Sequence, residues 1–407
     1  MLRENLAPVL SGSGLSKGQR LRIGMVAPVW LPVPPTGYGG TERVVAVLVE
    51  GLVESGHDVT LFAAAGSVTS AHLVTPLESP PPLGDPASIS DDLFHTTAAF
   101  LHAGEFDIVH DHSGMGPALG AMLTGRTAVI HTLHGPWTAL SRRFFGLVHD
   151  RVHLVAISHA QQAANPRLHY AGVVHNGIDL TLHPFNPVKE DFLVFVGRIS
   201  PEKRPEVAVE VARDAKLPLV MVIKRNEPAE RAYWDEIVAP RLGDDVLVLD
   251  EPPQSVKTDV LGRARALLFP IDWPEPFGLV MTEAMACGTP VIACPLGAVP
   301  EVVTDGVTGF LCSTPSEMVD AAAAATELRP EDCRARAEQC FSAQAMAAGY
   351  ERVYRAVLDS AGWHGGGAPR ERVVAQPVPY GTSEEADRSG LTTRVQGSYS
   401  HPAAQQA

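Results

Sequence analysis

Short apolar runs alternate with helix-patterned stretches along most of this chain, and that rhythm leaves few folds open. Ile23 to Ala27 reads as a strand. A Pro- and Gly-rich loop, PVPPTGYGGTE, leads from it into a helix with Thr41 as N-cap, where Val44, Val45, Leu48 and Leu52 recur at helical spacing until Gly56. Asp58 to Ala64 is the next strand, and others fall at Ile108-Val109, Val129-Ile130, Leu154 to Ile157 and Val173-Val174. A second series runs from a strand at Phe192 to Val196 through a helix at Glu206 to Asp214. Its further strands are Leu219 to Ile223, Val246 to Leu249, Ala266 to Phe269 and Val291 to Cys294. Strands separated by helices are joined by crossovers and lie parallel, so the class is α/β. A length of 407 residues exceeds one usual core. The expectation is therefore two Rossmann-like, doubly wound domains facing across a cleft, residues 21–182 and 183–340. Residues 341–361 read as an amphipathic helix. Residues 1–20 and 362–407 lack apolar periodicity and are expected to be a disordered leader and a disordered tail.

Charge and cysteine usage narrow the function classes. A formal net charge of −14 supplies no basic face for nucleic acid, so no nucleic-acid partner is expected. The five cysteines contain no CxxC pair, which argues against both a disulfide framework and a zinc knuckle and for small buried thiols in a reducing cytoplasm. No stretch is long and apolar enough to span a bilayer, and Ser141-Arg142-Arg143-Phe144-Phe145-Gly146-Leu147 carries too few bases for stable anchoring, so membrane association is not expected. The composition says nothing of oligomeric state.

Three loops at strand ends carry candidate chemistry. Glu275-Pro276-Phe277-Gly278-Leu279-Val280-Met281-Thr282-Glu283 leaves the strand at Ala266 to Phe269 and turns into a helix, which places Glu275 in the loop and Glu283 one turn into the helix. Open parallel sheets bind ligands at the carboxyl ends of their strands, and two separated carboxylates there can each accept hydrogen bonds from hydroxyl pairs. Gly197-Arg198-Ile199-Ser200-Pro201-Glu202-Lys203 stands at the end of another strand, with Arg198 as a planar fork and Lys203 as a compact charge able to meet a diphosphate. In the first domain, Gly37, Gly39 and Gly40 precede a helix N-terminus, where backbone N–H groups can approach phosphate. Histidines cluster at His110-Asp111-His112 and His131-Thr132-Leu133-His134, but without metal-ligand spacing or a clear further partner, so no metal is expected.

EPFGLVMTEAMACGTPVIA resembles the signature of the retaining glycosyltransferases of family 4, the group 1 enzymes of GT-B fold. The resemblance implies that Glu283 binds the ribose of a sugar nucleotide, that Glu275 orients the donor hexose, and that Phe277, Gly278 and Leu279 complete the donor loop. It also implies that Arg198 and Lys203 neutralise the diphosphate, that Gly39 and Gly40 face the donor across the cleft, and that His134 contacts the reacting sugar. His110, Asp111 and His112 would border the acceptor, the turn Asn176-Gly177-Ile178-Asp179 would be structural, and the helix at 341–361 would cross back to the first domain. Two positions depart from the pattern: Arg204-Pro205 follows Lys203, and Asp250-Glu251-Pro252-Pro253 stands where relatives have a glycine. The implied reaction moves a hexosyl unit from a nucleoside diphosphate sugar, a UDP-sugar favoured over a GDP-sugar, to an acceptor hydroxyl with retention. The nucleotide sugar is a co-substrate, and no cofactor or metal is implied. Two alternatives stay open: a sugar-nucleotide epimerase or phosphorylase on a similar scaffold, and a non-catalytic nucleotide-sugar-binding module.

Overall fold

Parallel pairing throughout both sheets is what the alternation of strands and helices demands. The computed structural model describes residues 19–82, 88–123 and 127–361; the leader up to residue 18 and the tail 362–407 lie outside them. The first sheet is built from β1 (Arg22–Val26), β2 (Asp58–Phe62), β3 (His72–Val74), β4 (Ile108–Asp111), β5 (Ala128–Leu133), β6 (His153–Ala156) and β7 (Tyr170–Val173), in the order β3-β2-β1-β4-β5-β6-β7. The second contains β8 (Glu190–Arg198), β9 (Leu219–Lys224), β10 (Val246–Asp250), β11 (Ala264–Phe269), β12 (Val291–Ala293) and β13 (Gly309–Leu311), in the order β10-β9-β8-β11-β12-β13. Each sheet is a doubly wound α/β unit.

The helices are α1 (Gly40–Glu54), α2 (Ile89–Leu101), α3 (Gly116–Met122), α4 (Ala139–Val148) and α5 (His159–Ala163) within the first sheet's half of the chain. The second half contributes α6 (Pro205–Asp214), α7 (Pro228–Tyr233), α8 (Gln254–Arg263), α9 (Leu279–Ala286), α10 (Val299–Val302), α11 (Pro315–Ala324), α12 (Pro330–Phe341) and α13 (Ala343–Ser360). Two details differ from the sequence reading. Gly39 rather than Thr41 precedes the first turn of α1, and it makes no side-chain cap. The strands read to Ala27, Ala64 and Cys294 end at Val26, Phe62 and Ala293.

Side chains on a strand alternate between faces, and the first sheet sorts them accordingly. Ile23, Met25, Leu61, Ile108 and Ile130 pack with α1 and α13, whereas Val26, Phe62, Val109 and Val129 pack with Ala99 and Phe100 of α2 on the other side. The helix α13 follows the second sheet in sequence but buries Met346, Tyr350, Tyr354 and Val357 in the core of the first, against α1. It ties the segment after the second sheet to the first sheet. The second sheet has its own core, centred on Phe195, Leu267, Leu268 and Met285.

Strand order places the candidate loops. The first sheet reverses between β1 and β4, and the second between β8 and β11. Ligands of open α/β sheets bind at such switch points. The glycine loop follows β1, Gly197 to Lys203 close β8, and Glu275 follows β11.

Candidate active site

A cavity of about 620 Å³ lies between the two sheets' carboxyl ends, and residues of both halves line it. Gly39, Gly40 and His134 come from the first half, and Arg198, Lys203, Glu275, Phe277, Gly278, Leu279 and Glu283 from the second. Two helix N-termini open into it. Neither α1 behind Gly39 nor α9 behind Gly278 has a side-chain cap, so their first N–H groups and partial positive charge are free to meet an anion. Gly278 has φ 84°, a left-handed conformation that side chains disfavour, and this turn directs the chain from the Glu275 loop into α9.

The acids and cations are paired across the cavity wall. Lys203 Nζ donates to Glu275 Oε2, and Trp273 Nε1 donates to the same oxygen at 3.0 Å. The ammonium also lies 4.9 Å from the Trp273 ring centroid and 5.4 Å from that of Phe269, so three groups fix its position. Arg198 pairs with Glu202 at 3.1 Å and approaches Glu230 at 3.7 Å. Glu283 is buried and receives both its bonds from Lys257 Nζ, at 2.9 Å each, with His183 Nε2 at 3.8 Å. Burial raises the Glu283 pKa, but Lys257 and His183 outweigh it and hold the carboxyl below its usual range. Glu275 and Glu283 are thus each positioned by a separate lysine.

Four further residues at the cavity escaped the sequence reading. Lys257 sits on α8, where nothing in QSVKTDV marks it. Lys224 ends β9 and lies 4.4 Å from the ring centroid of Tyr38 in the glycine loop, a cation–π contact between the two halves. Asn176, read as part of a structural turn, lines the cavity, and among the described residues its buried Oδ1 has no hydrogen-bond partner. The neighbourhood of NGID in the motif-bearing region was the available signal for it.

The histidine segment lies behind the cavity wall. His110, Asp111 and His112 were expected to border an acceptor, but all three are buried and none lines the cavity. His110 bonds Tyr354 Oη at 2.7 Å and Thr132 Oγ1 at 2.8 Å, and Thr132 bonds Tyr350 Oη at 2.8 Å. Asp111 points to the opposite face, where it meets His131 Nδ1 at 2.6 Å and accepts from Ser113 Oγ at 2.7 Å. Strand alternation is the reason: His110 shares its parity with Ile108 and is directed under α13. Only His134 reaches the cavity, and it contacts His112 behind it at 2.7 Å. Burial, and then the charge of His131, push the His134 pKa down to about 3, so its ring is neutral.

Metal-ligating side chains do not gather in this cavity among the described residues. The group whose donor atoms come close enough is His149, Asp150 and His169, away from the cavity wall. The five cysteines are free, and four of them are buried. Among the described residues no helix is long and apolar enough to cross a membrane.

Comparison with known proteins gives consistent matches. The model for glycosyl transferases group 1 matches residues 183–339, and that for Glycosyltransferase Family 4 matches residues 38–182. The chain is 30% identical over 396 residues to a D-inositol 3-phosphate glycosyltransferase of Mycolicibacterium smegmatis, an alignment covering 80% of this chain and 90% of that one. With the protein of the same name from Mycobacterium tuberculosis (strain ATCC 25177 / H37Ra) it shares 35% identity over 249 residues, 52% of this chain and about half, 51%, of that one. AviGT4, a glycosyltransferase involved in avilamycin A biosynthesis, superposes with a TM-score of 0.66 at 28% identity, covering 84% of this chain and 98% of that structure.

Proposed function

Since the chain belongs to the group 1, family 4 glycosyltransferases and is therefore a transferase of the GT-B type, we propose that it moves a hexosyl unit from a nucleoside diphosphate sugar to an acceptor hydroxyl with retention. The observation that carries this reading is the convergence of two lysine–carboxylate pairs, Lys203–Glu275 and Lys257–Glu283, and two uncapped helix N-termini on one cavity. The pairs differ in role. Glu283, fixed on α9, offers carboxylate oxygens to the ribose hydroxyls, and Glu275 offers its own to the sugar.

Glycosyl transfer passes through a state in which positive charge grows on the sugar ring and negative charge on the leaving phosphate. Lys203 is held beside Glu275 and two aromatic faces, and Arg198 is held by Glu202 and Glu230. Both cations are thus oriented before the substrate arrives, and a diphosphate between them and the α1 N-terminus is stabilised more as its charge develops. In this reading the departing phosphate accepts the acceptor's proton, so no protein nucleophile is used, and the acceptor enters on the face the phosphate leaves. Protein cations do the neutralising in place of a divalent metal, and EDTA is expected to leave the rate unchanged. A UDP-sugar is favoured over a GDP-sugar, and D-inositol 3-phosphate, for which the Mycolicibacterium relative is named, is the first acceptor to try.

Incubation with UDP-glucose and candidate acceptors, followed by NMR of the product's anomeric centre, tests the proposal. Transfer with the α configuration kept supports it. Release of free glucose alone, epimerised UDP-sugar, or a β product would refute it.

A further inference from the structure

Met25, His112 and His134 form a chain of contacts that admits one proton arrangement. His112 Nε2 lies 3.2 Å from the Met25 sulfur, and His112 Nδ1 lies 2.7 Å from His134 Nε2. A thioether accepts hydrogen bonds and cannot donate. The His112 proton therefore belongs on Nε2, directed at sulfur, since a lone pair there would face the sulfur lone pairs. Both rings are neutral: burial first, and then neighbouring histidine charge, drives the His112 pKa well below its usual value and that of His134 to about 3. A neutral ring protonated on Nε2 accepts at Nδ1, so His134 is the donor between the two. Its own Nδ1 is left with a lone pair, and among the described residues no hydrogen bond reaches it.

The arrangement is backed from below. The His110 ring lies 4.2 Å from that of His112, tilted by 41°, and is itself held by Tyr354 and Thr132, the latter bonded to Tyr350. The α13 crossover thus braces the rings behind the cavity wall.

We propose that Met25 and His112 are positioning residues that fix His134 as its Nε2–H tautomer, so that its Nδ1 meets the cavity as a hydrogen-bond acceptor for a hydroxyl of the bound sugar. The sugar half of this rests on the glycosyl-transfer reading, whereas the tautomer does not. With the opposite tautomer, His134 would present an N–H and favour a phosphate or carbonyl oxygen instead. The alternative thus changes what the wall of the cavity recognises.

Long-range ¹H–¹⁵N NMR of the full chain labelled with [¹⁵N]histidine reads the tautomer directly, with the His134 ring assigned by its loss in His134→Gln. The expected spectrum shows Nε2 as pyrrole-type and Nδ1 as pyridine-type in the wild type, and a mixture of both forms in Met25→Leu. A pyrrole-type Nδ1 in the wild type, or an unaltered tautomer in Met25→Leu, overturns the proposal. Kinetics supply the second readout, with UDP release from UDP-glucose in the presence of D-inositol 3-phosphate as the assay. His112→Leu is expected to lower kcat about tenfold, the scale of one net hydrogen bond, with a smaller change in KM. His112→Asn, whose amide oxygen stands in for Nδ1, restores most of the loss. Equal losses in the two His112 variants would mark a merely structural role and overturn the positioning claim. A wild type with the expected tautomer but no turnover of UDP-glucose supports the tautomer lock and counts against the reading under Proposed function.

Discussion

Lys203 and Lys257 make the clearest division of labour at the level of single residues. Lys203 touches the expected path of the leaving group, so Lys203→Ala is expected to lower kcat/KM by about 100-fold or more, as removal of one charge-stabilising donor does elsewhere. Lys257 stands behind Glu283, and its loss leaves a buried carboxylate short of its counter-ion. Lys257→Met is expected to destabilise the fold by about 3 kcal/mol at pH 7, measured by urea unfolding. The pH dependence has a defined sign. The folded Glu283 carboxyl is held below its usual range, so its contribution is full above the unfolded value of about 4.3 and is lost as pH falls through the folded one. The gap between wild type and Lys257→Met should therefore narrow below about pH 4; an unchanged gap would show that the Lys257–Glu283 pair is not its source. Glu275 and Glu283 were legible in the sequence because a strand end, a glycine turn and a helix start bracket them. Lys257 was not, because its role comes from tertiary proximity between α8 and α9, which no local pattern encodes.

Elements succeed or fail here by how closely backbone can approach backbone. Gly297 has φ 60°, and a Cβ on it would lie 2.2 Å from the Glu275 carbonyl oxygen and 2.4 Å from its nitrogen. Gly306, with φ 70°, would meet nothing within 4 Å. Gly306→Ala should cost about 1 kcal/mol, the conformational term alone. Gly297→Ala should cost more and also lower kcat/KM, because the clash displaces the Glu275 backbone; equal stability losses with unchanged activity would contradict this. The alternation of strands and helices made the two sheets legible, since the crossover rule converts it into parallel pairing. The facing of β4 was not legible. Polar residues at a strand's carboxyl end suggest a site, yet His110 satisfies its nitrogens on Tyr354 and Thr132, partners more than twenty residues away in sequence. Tyr354→Phe removes one of those bonds and should cost about 1–2 kcal/mol, with the urea m-value unchanged.

The molecule as a whole depends on how its two halves meet. Glu301 of α10 accepts from the backbone N–H groups of His159 and Ala160 at 2.8 and 2.7 Å and meets His175 Nε2 at 2.9 Å, which makes one carboxylate a clasp between the sheets' domains. Burial raises its pKa, but His175 and the two N–H donors outweigh this and hold it low. Glu301→Gln should speed hydrogen exchange at the His159 and Ala160 amides while leaving the β1 and β8 amides protected; uniform exchange changes would locate the clasp elsewhere. Tyr38 over Lys224 is a second contact between the halves, and both residues line the cavity. Under the proposed function this cavity binds a sugar nucleotide through Lys203 and Glu283. The most direct measurement is the melting shift of the wild type, Lys203→Ala and Glu283→Ala with UDP, GDP, ADP and their glucose conjugates, because a ligand bound only to the native state raises the melting temperature. One nucleotide series should stabilise the wild type, and neither variant should respond to it. A wild type that responds to none of them, or variants that respond as fully as it does, would contradict the account.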